Sequence, residues 1–202
     1  MSRAGDITYI FLPFILWILT FVVLREYFLI LMMVSTSILG FLTLLFYREK
    51  VFWGDAKKNI IIGASMAISL YFVFVVGDVA TAVIGLHAYV EDVYSMINTV
   101  SNTAGLVFGL VWIGVMEEIY WRGGLQGLFA GKYGGYQWLV STVPYTLVHV
   151  ATLNPILVLA AFIVGLAMGW TAYRYGIITS SIAHVIWILL VVVIAPPTFL
   201  SF

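Results

Sequence analysis

Glu117 and Glu118 stand side by side in an otherwise apolar stretch, with Arg122 four positions beyond the second. Adjacent residues on a helix point about 100° apart, so the two carboxylates cannot do the same job. Glu118 and Arg122 have the i, i+4 spacing with the acid N-terminal, the favoured order for an ion pair. An arginine inside an apolar span is costly without a partner, which makes Glu118 the expected one. Glu117 is left facing a different neighbour, and a carboxylate without a counter-ion in apolar surroundings suits proton transfer near neutral pH. His149 and His184 also lie in apolar runs. One glutamate and two histidines can activate water, protonate a leaving amine and steady an oxyanion, which are the needs of peptide hydrolysis. The same set, Glu117, His149 and His184, could instead hold a catalytic zinc, although no compact HExxH helix is present. There is no cysteine to act as nucleophile. Ser141, Ser180 and Ser181 lack the Gly-x-Ser-x-Gly frame of a nucleophile elbow.

These groups must be carried by membrane spans. Of 202 residues, 63% are hydrophobic and 9% charged, whereas soluble domains are nearer half apolar and a quarter charged. A soluble globule of this length could not hide so much apolar surface. Nine basic residues balance nine acidic ones, so no net field steers a nucleic acid, and none is expected as a partner. A helical span needs about 20 mostly apolar residues. The pattern predicts an all-α polytopic bundle of about seven spans: Ile7 to Leu24, Tyr27 to Phe46, Ile60 to Gly77 with a possible extension to Leu86, Thr103 to Ala130, Tyr136 to Thr152, Pro155 to Tyr173 and Ile177 to Ala195. The first contains Pro13 and no small-residue cleavage pattern, so it reads as a span and not as a signal peptide. The whole chain reads as one integral-membrane domain. Residues 1–101 supply spans without a motif, and 102–195 the core that carries the candidate chemistry.

Arg48, Lys50, Lys57 and Lys58 lie between spans two and three, whereas Asp78, Glu91 and Asp92 follow span three without a basic residue. The lysine and arginine bias places the first group, and with it the N-terminus, in the cytoplasm. Lys132 and Arg174 then fall on the same side. His87, beside Tyr89 in the polar outer segment, reads as ordinary surface, and Asp78 as the outer end of span three. Trp112, Trp121, Trp138, Trp170 and Trp187 read as lipid-facing or interfacial aromatics.

Gly105/Gly109, Gly123/Gly127 and Gly165/Gly169 have GxxxG spacing and suggest close packing of spans four and six. Asn154 and Pro155 read as the N-cap and first residue of span six. At about 1.5 Å per residue, Glu117 and His149 both lie about 21 Å from the turn near Gly131 to Gly134, so neighbouring antiparallel helices would set them side by side. The site is expected to open toward the cytoplasm.

Three blocks in order resemble a known family. Glu117-Glu118-Ile119-Tyr120-Trp121-Arg122 matches EExxxR. Tyr145 to His149 matches FxxxH with tyrosine for phenylalanine. Gly165 to Tyr173, with Gly176, Ser181 and His184, is similar to a third block. The family is that of the CAAX proteases and bacteriocin-processing enzymes, intramembrane proteases whose type member is the type II CAAX prenyl endopeptidase. The resemblance covers about Gly105 to Leu190. It implies that Glu117 activates the attacking water with help from His149, that Glu118 and Arg122 support them with Tyr145 alongside, and that His184 helps to stabilise the oxyanion. It also implies metal-free glutamate chemistry with no cofactor, and a substrate that is a peptide or lipidated protein tail at the bilayer. The family usually places asparagine or a similar polar residue four after that histidine, where this chain has Ile188, which cannot donate a hydrogen bond.

Three functions follow: an intramembrane endopeptidase, a non-catalytic relative that binds or shields a membrane partner, and a proton-coupled carrier, since buried acids and histidines also form proton relays. A carrier of this size should show internal repeats, and none is visible. Substrate identity and oligomeric state have no signature in the chain.

Overall fold

The computed structural model describes residues 3–97, 100 and 102–197, and no strand occurs among them. α1 (Arg3–Ile18) contains Pro13 and runs on through a π turn, Leu19–Val23. α2 (Phe28–Phe46) and α3 (Ala56–Val83) follow, then a shorter helix, α4 (His87–Ile97), in the segment expected to be a polar gap. α5 (Thr103–Glu118) widens into a π segment, Ile119–Leu125, and continues as α6 (Gln126–Tyr133). α7 (Gln137–Val148) tightens into a 3-10 turn, His149–Thr152. α8 (Pro155–Tyr175) and α9 (Ile177–Leu189, with a π turn Leu190–Ile194) complete the bundle.

Among the described residues, six stretches are long and apolar enough to cross a membrane. One of them, Thr103–Thr152, is 50 residues long and doubles back at Gly134, giving the seven legs expected. Gly134 turns the chain with φ 51° and ψ −126°, a conformation open only to glycine. The outer faces are strongly apolar: Ile61, Val76 and Val83 are 78%, 68% and 81% exposed. Such faces are stable only against lipid, and the chain is an integral membrane protein.

The two ends of the bundle differ chemically. At one end α8 hands over to α9 through Gly176, which crosses Gly54 so closely that a Cβ on either would strike the other's backbone. There Ile177 N–H donates to Phe52 O, and Asn59 Nδ2 donates to Tyr175 O over 2.9 Å. Arg48, Lys50, Lys57, Lys58, Lys132 and Arg174 belong to segments at this end. At the other end α4 is clasped to the bundle. Asp92 accepts from Arg25 and from Asn154 Nδ2, and Tyr94 OH donates to Val191 O over 2.7 Å. Asn154 also caps α8 as expected, its Oδ1 accepting from the N–H groups of Ile156 and Leu157.

Packing corrects several expectations. The glycine pairs do permit close approach, and spans four and six touch at Gly169, whose carbonyl accepts from Gln126 Nε2 over 3.1 Å, but most of the glycines face other helices. Gly109 faces Leu29 of α2, Gly123 and Gly127 face Val51 and Lys50, and Gly165 and Gly169 face α7. Trp121 and Trp187 are core residues, 0% and 8% exposed, because the bundle folds around the polar motif and the motif's aromatic neighbours go in with it. α3 continues past Asp78 to Val83, so Asp78 is buried within a helix and does not end it. His87 is not ordinary surface: its side chain is 17% exposed, and Nδ1 lies 3.3 Å from Asp78 Oδ1.

Candidate active site

Glu117 and Glu118 are the last two residues of α5, immediately before the π segment. A π turn carries an additional residue per turn and commonly marks functional positions in helices. Both glutamates are buried, and each meets a different part of the bundle, as the 100° offset requires. Glu118 Oε1 accepts from His184 Nδ1–H over 2.9 Å. The carboxylate can only accept, so this bond sets the proton of the imidazole on Nδ1. The other nitrogen, Nε2, lies 3.9 Å from Glu117 Oε2. The His184 ring therefore stands between the two carboxylates, hydrogen-bonded to one and turned toward the other. Glu117 Oε2 also accepts a long bond, 3.4 Å, from Tyr145 OH.

Glu118 was expected to answer Arg122. Arg122 Nε does lie 3.8 Å from Glu118 Oε2, but the close hydrogen bond belongs to His184. The intervening π segment displaces residue 122 from the one-turn position an α-helix would give it. Arg122 is fully inside, with its guanidinium carbon 4.6 Å from the centre of the Tyr145 ring. Its three nitrogens make no hydrogen bond among the described residues.

His149 opens the 3-10 turn after α7. Its Nδ1–H donates to Tyr145 O over 2.8 Å, and its Nε2 accepts from Trp17 Nε1–H over 3.5 Å. Trp17 belongs to α1, is 0% exposed, and packs edge-on to both Trp121 and His149. It is a site residue that sequence reasoning missed, since one tryptophan in an apolar span carries no distinguishing signal. The depth estimate for His149 was one turn out. Tyr145 is the residue level with Glu117, and His149 lies a turn beyond it. The leg below Glu117 includes seven π residues and is shorter than a uniform α rise makes it.

Glu117, Tyr145, His149, His184 and Ile188 share one cavity of about 230 Å³. Its remaining wall is largely apolar, and Asp78, Val90, Val93 and Tyr94 show that it reaches to α4. The cavity thus extends toward the end opposite the basic segments. Helices α5, α7 and α9 bring the catalytic candidates together, while α3 and α4 form the far wall.

As arranged, the donors do not make a metal cage. Both nitrogens of His149 are engaged, and among the described residues no group of three or more His, Asp or Glu side chains is placed to hold an ion. No curated protein and no solved structure matches the chain. A family model does: residues 99–190, which hold Glu117, Arg122, Tyr145, His149 and His184, match the one described as Rce1-like, type II CAAX prenyl endopeptidase Rce1-like, so this segment is similar to that family.

Proposed function

We propose that the chain is a membrane-embedded endopeptidase in which Glu117 activates a water to cleave a membrane-associated peptide or a prenylated protein tail. The observation that carries this reading is the shared wall of one cavity: Glu117, His149 and His184 line it together. Glu117 takes a proton from the water as the oxygen attacks the scissile carbonyl, and returns it to the leaving amine. His184, held through Nδ1 by Glu118, presents Nε2 on the Glu117 side, where it can donate to the oxyanion once protonated. His149 assists the water by exchanging the long Trp17 bond for one to the water, and a 3.5 Å contact is weak enough to give up. The chemistry proposed is metal-free. A zinc on Glu117, His149 and His184 would need His149 to break one of its two present bonds.

The N-terminus is proposed to be cytoplasmic on the strength of the basic segments at that end. The cavity then lies toward the outer leaflet, and a substrate reaches it from there or laterally through the bilayer. Labelling of single cysteines introduced along α4 and α6, in a chain with none of its own, assigns the sides.

Ile188 lines the cavity without a hydrogen-bond donor, which favours a second reading, a relative that binds such tails without cutting them. The separating experiment is cleavage of a quenched-fluorescent peptide library in vesicles containing the protein. Cleavage that disappears in Glu117→Gln supports the enzyme. Binding without cleavage supports the second reading.

A further inference from the structure

Asp78 is the other carboxylate on the wall of this cavity. It is 5% exposed, and neither Oδ1 nor Oδ2 has a hydrogen-bond partner among the described residues. His87 Nδ1 is 3.3 Å from Oδ1, its two nitrogens are likewise buried without hydrogen bonds, and the Tyr94 hydroxyl is also within electrostatic reach of the carboxylate. Buried polar groups are nearly always satisfied, and a buried carboxylate with open acceptor sites is costly unless something donates to it. The walls nearby, from Val90, Val93 and Phe74, are apolar and donate nothing.

We propose that Asp78, backed by His87, is a subsite for a cationic side chain, ammonium or guanidinium, on the peptide substrate; the proposal rests on the peptidase reading above. Charge at this end favours a cation over an anion. Glu26, Glu91 and Asp92 stand at the same end, and among the described residues the one lysine or arginine there, Arg25, is already paired with Asp92. Tyr94, which also lines the cavity, is neutral and ties its hydroxyl to Val191 O.

The register of the bundle sets the distance from the chemistry. α3 and α9 both rise from the Gly54–Gly176 crossing, so they run parallel, and Phe74 meets Trp187 with ring centres 4.8 Å apart. Asp78 is one turn beyond Phe74, and His184 is nearly one turn before Trp187. Seven residues of helical rise separate their levels, about 10 Å. An extended peptide covers that in about three residues at roughly 3.3 Å each. The cation should therefore lie about three residues from the scissile bond.

The test walks one lysine along otherwise apolar reporter peptides and measures kcat/KM with the natural protein, and peptide affinity with Glu117→Gln, which leaves the peptide uncut. Lysine near the third residue should exceed norleucine at the same place by about 10- to 100-fold, and Asp78→Asn should bring the ratio close to one. A ratio that Asp78→Asn leaves intact, or a lysine scan without a positional optimum, overturns the subsite. Should Asp78→Asn fail to fold, the comparison of lysine with acetyl-lysine peptides on the natural protein decides alone: equal rates overturn the proposal. A protein that binds lysine peptides with this optimum yet cleaves none refutes the peptidase reading and keeps the subsite.

Discussion

His184 Nδ1–H donates to Glu118 Oε1 over 2.9 Å, across 66 residues of sequence and between two helices. This bond fixes the tautomer and ring orientation of the histidine whose Nε2 lies 3.9 Å from Glu117 Oε2, so the second glutamate of the pair makes its close contact with an imidazole and not with the nearby arginine.

Glu118→Gln is therefore expected to lower kcat by about 100- to 10,000-fold, a range typical of losing a proton-transfer group or the residue that orients it. It also leaves Arg122 without a carboxylate in a fully buried site, at a cost of about 3 kcal/mol. Glu117→Gln should abolish cleavage with a smaller effect on thermal unfolding in detergent. If Glu118→Gln were as active and as stable as the natural chain, the orienting role would be wrong.

Trp17 supplies the one hydrogen bond to His149 Nε2 from outside the matched segment. Trp17→Phe keeps an aromatic ring and removes the N–H. Because His149 gives up this bond to reach the water, turnover is expected to rise, by up to about 5-fold, the worth of about 1 kcal/mol of hydrogen bonding, with KM little changed. A pure packing role would instead show as lower thermal stability at full turnover.

Ile188 sits on the cavity wall with His184, one helical turn apart. An oxyanion donor contributes about 100- to 1000-fold in rate, and Ile188→Asn would add one facing space able to hold water. Higher turnover in Ile188→Asn is the expected result. Activity confined to that variant would mark the natural protein as a non-catalytic relative. A fall in turnover would show Ile188 to be packing and the second donor to lie elsewhere.

Because the proposed chemistry uses no metal, chelation should leave cleavage intact and purified protein should carry no stoichiometric zinc. About one zinc per chain, lost together with activity in His149→Ala, would reverse this.

Asp92 ties α4 to the bundle. Hydrogen bonds from the Arg25 guanidinium, and from Asn154, hold its carboxyl below the usual carboxylate range. A depressed carboxylate stabilises the folded state above its unfolded pKa, and that contribution is lost as pH falls through the lower, folded value. Asp92→Asn should therefore speed amide exchange in residues 87–97 at neutral pH, with the difference from the natural chain shrinking in acid. An unchanged exchange rate at neutral pH would show that the clasp does not hold α4.

What the chain settled without its fold is what depends on composition and near neighbours. An apolar content of 63% points to a helical membrane bundle, Asn154 and Pro155 start α8, and the three motif blocks mark Glu117, His149 and His184 as candidates. The tertiary structure decided what depends on distant partners. Glu118 turns to His184 because a π segment displaces Arg122 and α9 packs against α5. Trp17 reaches His149 because α1 crosses α7. Asp78 and His87 are buried together because α4, hidden in a polar-looking gap, folds back over the cavity. Spacing along one helix reports directions within a single turn, whereas the choice of which helices touch, and at what height, is made by side-chain volume across the whole bundle. Sequence periodicity does not carry that information.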